Sequence, residues 1–384
     1  MSVDCIYLDN NATTPMLPAV WEAMRPYAAD AYGNPASAHR VGRRARQALE
    51  DAREQTAALL DAYADEVVFT SGATEANNLA IFGLAGEPPG HLVCSAIEHP
   101  CVTEPMRQLA QRDFALDWLP VDVTGVVRIE GLANSLREET RLVCVMLANH
   151  ETGAVQPISD FGFRNSEFGI QVGLHCDAAQ AVGKIAVRFH GMDVTTLSFS
   201  AHKFHGPKGV GALLIRRGTR LRPLLHGGHQ QRGRRPGTEP VALAVGLATA
   251  LEIAERERED RIAKVRQLRC QLLAYLQAHA DPVVLNGPEV GGLPHTLNLS
   301  FPGCQADALL MNLDLAGVAC STGSACSSGS LLPSPVLQAM GVSENRLHSA
   351  MRFSLSALLD EAEVAEAARR ISEVVRRVRS SASV

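Results

Sequence analysis

The feature that most constrains the fold of this chain is the regular exchange of short apolar runs with stretches of helical period. The runs at 67–70, 91–94, 142–147, 173–176, 195–199 and 211–215 are bounded, four to six residues long, rich in apolar residues and free of Asp, Glu, Lys and Arg. Such runs read as strands buried on both faces. Between them lie segments with an apolar repeat near 3.6, such as Val41, Ala45, Ala48, Ala52, Thr56 and Leu59. Strand and helix in alternation predict a mainly parallel sheet with helices on both faces. A long helical stretch follows from Val241, apolar at first, charged at 255–261, and apolar again at Ile262, Val265, Leu272 and Leu276. The charge run reads as a solvated face and places a domain change near it. Beyond it, a strand near 296–300, a second at 351–355 and a last helix with Val364, Ala368, Ile371, Val375 and Val378 predict a smaller α/β domain.

A chain of 384 residues is long enough for two cores. Its net charge of -5 offers no basic field, so neither direct nucleic-acid binding nor an acidic membrane surface is expected. The opening MSVDCIYLDN has neither the basic nor the apolar region of a secretory leader, and no apolar run spans a bilayer, so a cytoplasmic location is expected. The nine cysteines form no CxxC pair, and no metal site is expected. In a reducing compartment most of them read as inert buried thiols.

Three strand ends carry the chemistry. In VVFTSGATEANNLAIFG a strand turns directly into a helix, so Gly72, Ala73 and Thr74 present free amides and the helix dipole to an anion. Thr74 alone reads equally as a cap. In LHCDAAQAVGK, Asp177 ends a strand, either as a helix N-cap or as the carboxylate partner of a protonated pyridine nitrogen, with Gln180 in reach of a ring hydroxyl. In TTLSFSAHKFHGPKGVGALLI, Lys203 stands at the mouth of a buried strand, where desolvation favours a nucleophilic amine. It reads as a Schiff-base lysine for a pyridoxal aldehyde or as a surface lysine, and Ser200 and His202 are placed for the same cofactor's phosphate. Open α/β sheets bind ligands at such strand ends.

The sequence also resembles the NifS/IscS-type cysteine desulfurases, pyridoxal 5'-phosphate enzymes of aminotransferase fold type I. The likeness runs through YLDNNATTP at 7–15, GNPASAH at 33–39, TSGATEANNLA at 70–80, IEHP at 97–100 and NHETGAVQP at 149–157. It continues in HCDAAQAVGK at 175–184, SFSAHKFHGPKGVGAL at 198–213, RGRRPGTEP at 232–240, STGSACSSGS at 321–330 and HSAMRFSLS at 348–356. The resemblance implies a large cofactor-binding domain at 14–258 with a mainly parallel seven-stranded sheet. A small domain of 1–13 and 259–384 would carry Cys326 and Arg352. It makes Lys203 the Schiff-base lysine, Asp177 the pyridinium partner, Gln180 a ring-hydroxyl ligand, and Ala73, Thr74, Ser200 and His202 phosphate ligands. His99 is implied to stack on the ring and assist proton transfer. Thr238 is implied to reach the phosphate of a neighbouring subunit, hence a homodimer. Arg352, a charge between Met351 and Phe353, needs a partner. The substrate carboxylate and a structural salt bridge both qualify.

Cys326 lies among Ser, Thr, Gly and Ala only, a stretch with few apolar anchors that is expected to move. The resemblance makes it the nucleophile that takes sulfur from L-cysteine as a persulfide, leaving L-alanine, and hands it to an acceptor protein in iron–sulfur assembly or another thio-modification. Cys320 reads as a buried strand residue. His150 departs from the common NNETG pattern. The asparagine of that pattern touches the ring hydroxyl and the substrate carboxylate, so Asn149 and His150 are the candidates there. The end at RRVRSSASV lacks the longer extension of scaffold-docking members, which implies a different acceptor. An aminotransferase, a selenocysteine lyase or a cofactor-bearing scaffold without turnover would keep Lys203 and Asp177.

Overall fold

The computed structural model describes residues 5–160, 172–323 and 333–381, so the expected nucleophile Cys326 falls outside the described residues. The chain begins with β1 (Ile6–Tyr7), α1 (Pro18–Ala29) and α2 (Arg40–Leu59). It continues through β2 (Val67–Thr70), α3 (Ala73–Ala85), β3 (His91–Ser95), α4 (Pro100–Ala110), β4 (Ala115–Leu119), α5 (Ile129–Ser135) and β5 (Thr140–Cys144). Next come β6 (Gly173–Asp177), β7 (Thr196–Ser200) and β8 (Gly211–Ile215). The rest holds α6 (Val241–Arg256), α7 (Arg258–His279), β9 (Val284–Leu285), β10 (Thr296–Ser300), α8 (Ala306–Leu315) and β11 (Val318–Ala319). It closes with α9 (Pro335–Ala339), α10 (Glu344–Leu347), β12 (Ala350–Ser354) and α11 (Glu361–Ser381).

Seven strands form one sheet in the order β2-β8-β7-β6-β5-β3-β4. β8 runs antiparallel to both neighbours and every other pairing is parallel. The expected mainly parallel sheet is therefore present. Its strands are apolar and buried because helices cover both faces. Val143, Cys176, Leu197, Phe199 and Leu214 pack toward Ala45 and Leu49 of α2 and Ala248 and Leu251 of α6. Leu92, Cys94 and Leu142 pack with Ile81 of α3 and Val102 and Met106 of α4.

A second apolar cluster joins Ile6 and Leu8 to Leu268, Leu272, Leu297, Met351, Phe353, Ile371 and Val375. It covers the antiparallel sheet β12-β10-β9, while β1 pairs in parallel with β11. The single long helix expected from Val241 is instead two. It breaks at Glu257 (φ -100°, ψ 8°), inside the charge run, where Glu257 pairs with Arg261 at 2.8 Å.

Candidate functional site

β2, β6 and β7 run in the same direction, so their C-terminal ends share one edge of the sheet. There a cavity of about 420 Å³ opens between Thr74, His99, His150, Asp177, Gln180 and Lys203, with Gly72, Ala73, Ser200 and His202 also in its wall. The three strand-end motifs are thus brought together.

At one end Gly72 is the N-cap of α3, and the amides of the first helical turn have no acceptor inside the helix. A Cβ on Gly72 would lie 3.6 Å from Ser200 Oγ, so that hydroxyl borders the same turn. β8 passes close behind: a Cβ on Gly211 would come within 2.8 Å of the Gly72 backbone. Glycine there keeps the turn open. His202 Nδ1 lies 3.1 Å from Thr13 Oγ1, and burial with Lys203 nearby lowers its pKa to about 4, so its ring is neutral.

At the other end Asp177 closes β6. Its Oδ1 accepts the Ala179 amide at 2.9 Å and its Oδ2 accepts from Asn77 Nδ2 at 2.8 Å. Asn77 is fixed in turn, since its Oδ1 receives Ser198 Oγ–H and meets His175 Nε2 at 2.9 Å. His175 Nδ1 meets Thr196 Oγ1 at 2.9 Å, and burial takes its pKa down to about 4. The sequence reading missed Asn77 and His175. The available signals were period: His175 precedes Asp177 by two residues on one strand face, and Asn77 follows the phosphate cradle by one helical turn.

His99 caps α4, its Nδ1 accepting the Cys101 amide at 3.1 Å. With Nδ1 so engaged, the neutral ring carries its proton on Nε2. Cys101, also unforeseen, places Sγ 2.9 Å from His99 Nδ1 and 3.8 Å from Asp177 Oδ2, and burial holds its thiol protonated. The His150 ring meets that of His99 edge-on, 5.1 Å between centroids, and burial lowers the pKa of both.

Lys203 Nζ donates to the carbonyls of Asn11 at 2.6 Å and Ala12 at 3.0 Å. Gln180 Nε2 donates to the same Asn11 carbonyl at 3.0 Å, and its Oε1 accepts from Lys184 Nζ at 2.8 Å. Two buried carboxyls border this region. Glu98 Oε1 bridges Ser95 Oγ at 2.5 Å and the Met146 amide at 2.6 Å, and burial raises its pKa to about 8. Glu151 is raised by burial to about 7.

The aminotransferase class-V family model matches residues 6–366. A cysteine desulfurase IscS of Dictyoglomus turgidum is 43% identical over 353 residues, 91% of this chain and 89% of that one. The chain belongs to the cysteine desulfurases of the class-V aminotransferase family. A cysteine desulfurase of Trichormus azollae is 44% identical over 377 residues, 98% of this chain and 94% of that one. Among solved structures, a NifS-like protein superposes with a TM-score of 0.92 at 37% identity, covering 97% of this chain and 100% of the other. SspA, solved in complex with cysteine, gives a TM-score of 0.82 at 35% identity over 91% of this chain and 99% of its own.

Cysteine desulfurases use pyridoxal phosphate, and the donor set fits that group. Helix-start amides suit the phosphate, a carboxylate suits the ring nitrogen and an amine stands near both. Three expected residues lie outside the cavity wall. Asn149 is fully buried and outside the cavity wall: its Nδ2 donates to the Ile97 carbonyl at 3.0 Å, and its Oδ1 accepts the amides of Glu151 and Thr152, each at 2.9 Å. Arg352 is buried behind the wall, donating to Asp9 Oδ1 at 2.7 Å and the His150 carbonyl at 3.0 Å, and its Nε has no partner among the described residues. Thr238 lines a separate depression with Tyr27, Tyr32 and Asn34. Cys326, as noted, is not among the described residues. Cys320 packs against the second apolar cluster, and burial pushes its thiol up to about 12.

Proposed function

We propose that the chain converts L-cysteine to L-alanine, with the sulfur moving to Cys326 as a persulfide and then to an acceptor protein. The observation that carries this is the convergence of the α3 N-terminus, Asp177 and Lys203 on one cavity, in a chain that also has Cys326. Bound there, pyridoxal phosphate supplies the electron sink that makes the substrate Cα–H acidic. Ala73, Thr74, Ser200 and His202 hold its phosphate, Asp177 its ring nitrogen, Gln180 and His150 its hydroxyl, and Lys203 its aldehyde carbon. The Asn77–His175 relay keeps the Asp177 carboxylate aimed.

Lys203 Nζ is the base for the Cα proton. His99, carrying its proton on Nε2, assists proton movement at the substrate. The Cys326 thiolate attacks the substrate sulfur, so the C–S bond breaks as an S–S bond forms. Cβ gains a proton and becomes the methyl of alanine. Arg352 serves the substrate carboxylate in this reading, through the donors its Asp9 and His150 bonds leave over, while Asn149, whose amide is bonded inside the fold, fixes the turn that carries His150. We assign the division into 14–258 and the paired segments 1–13 and 259–384, a homodimer completed by Thr238, and a cytoplasmic location to the same reading.

The test is to incubate the holoenzyme with L-cysteine and score alanine and sulfide together. Without added reductant a single turnover should give one alanine and one added sulfur on the Cys326 peptide. With excess dithiothreitol to reduce the persulfide, wild type should release alanine and sulfide in equal amounts over many turnovers. Cys326→Ser should bind substrate and lose turnover, because a hydroxyl is a poor nucleophile toward sulfur. A serine variant that makes alanine and sulfide at near the wild-type rate, or an added sulfur on Cys320, would overturn the assignment.

A further inference from the structure

Glu151 has no part in the proposed chemistry, yet its surroundings are specific. It follows His150 in the NHETG turn, is 2% exposed, and has its amide fixed by Asn149. Its Oε2 accepts Ser334 Oγ–H at 2.6 Å. The same oxygen would lie 2.7 Å from a Cβ on Gly323, a residue with φ +84°. Only glycine fits that conformation and that space. One carboxylate oxygen therefore bonds Ser334 after segment 324–332, which contains Cys326, and packs close to Gly323 before it.

Each flank is fixed a second time. Ser334 Oγ accepts the Leu337 amide at 3.1 Å and so caps α9. Ser321 exchanges backbone bonds with Arg352, at 3.2 and 2.6 Å, and its Oγ accepts the Gly323 amide at 3.2 Å. On the cavity side, His150 Nε2 lies 3.7 Å from Glu151 Oε1, and the His150 ring lines the cavity wall. Burying a carboxyl is costly unless its oxygens are hydrogen-bonded, and the Ser334 hydroxyl supplies such a bond.

We propose that Glu151 is a positioning residue whose carboxyl, bonded to Ser334 and packed against Gly323, holds the flanks of the Cys326-bearing segment to the turn that lines the cavity. It thereby sets the base from which Cys326 meets the substrate sulfur. This rests on the desulfurase reading and deepens it. It concerns where the nucleophile is tethered, not how the substrate is bound.

The experiment uses the holoenzyme as wild type, Glu151→Gln, Glu151→Ala and Ser334→Ala. Four quantities are read: the iodoacetamide alkylation rate at Cys326 by peptide mass spectrometry, kcat and KM for L-cysteine, and the absorbance response to L-alanine. Glu151→Ala and Ser334→Ala should raise the alkylation rate severalfold and lower kcat about tenfold, since small misplacements of a reacting group cost that much. KM and the L-alanine response should stay within about twofold of wild type. Glu151→Gln retains an acceptor for Ser334 and should restore both the alkylation rate and kcat.

Unchanged alkylation and kcat in both truncations would overturn the proposal. So would a glutamine variant as impaired as alanine, or a loss of L-alanine response parallel to the loss of kcat. Should Glu151→Ala fail to fold, Ser334→Ala carries the test. A wild type that makes no alanine from L-cysteine would fault the desulfurase reading instead, while the alkylation rates still judge the tether.

Discussion

Lys203 owes its position to the N-terminal turn as much as to its own strand. Its amine is held by the carbonyls of Asn11 and Ala12, which accept a hydrogen bond from charged and neutral amine alike. The tether places the nitrogen at the wall of the cavity. Two other lysines compete on distance. Lys208 lines the same cavity, and Lys184 is tied to Gln180 Oε1 at 2.8 Å, with burial lowering its pKa well below the usual range. Borohydride reduction of the holoenzyme followed by peptide mapping should place the pyridoxyl group on Lys203, and Lys203→Ala should lose the label. A label on Lys184 or Lys208 would sink the assignment. Asp177, His202 and Lys203 were legible as residues of one cavity because each stands at the end of a buried strand, where a charged or titratable side chain interrupts the run. Asn77 and His175 were not, because their work is done on another side chain and nothing in their local sequence distinguishes it from core polarity.

At the scale of elements, a run was legible where burial was two-sided. The strands at 67–70 and 211–215 were read to their observed ends, whereas β4 was missed. It is the edge strand of the sheet and largely exposed, with Trp118 38% accessible, so its sequence carries no buried run. Glu98 shows what pairing between elements adds. Its Oε1 joins Ser95 at the end of β3 to the Met146 amide just past β5, stitching two neighbouring strands where they leave the sheet. Burial raises its pKa from 4.5 to about 8, so the folded protein holds a proton that the unfolded chain releases near 4.5. A raised pKa stabilises fully below the unfolded value, and that stabilisation is lost as pH rises through about 8. Glu98→Gln keeps an acceptor and cannot ionise. The difference in Tm, variant minus wild type, should therefore grow as pH is raised from about 5 to about 9. Thermal scans showing a pH-independent gap would mean that Glu98 is ionised in the fold.

At the scale of the whole molecule, one expected residue stands apart from the site it was assigned to. Thr238 borders a depression of about 290 Å³ with Tyr27, Tyr32 and Asn34, outside the cavity that holds Lys203. Tyr32 is 76% exposed and Trp21 50% exposed, apolar surface of the kind a partner covers. The sequence motif alone could not show this separation, because a residue that completes a neighbour's site looks local in its own chain. If Thr238 serves the cofactor phosphate of a second copy, a Lys203→Ala subunit and a Thr238→Ala subunit should complement each other. In their heterodimer one site combines both lesions, and the other has an intact Lys203 and an intact Thr238. Random assortment makes half the dimers mixed, so activity should approach roughly a quarter of wild type at limiting pyridoxal phosphate, above either parent alone. The measurement is alanine formation after unfolding and co-refolding equal amounts of the two variants, with dimer composition checked by native mass spectrometry. Activity no higher than the mean of the two parents, or full wild-type activity from a sample shown to be monomeric, would place Thr238 in the service of its own chain.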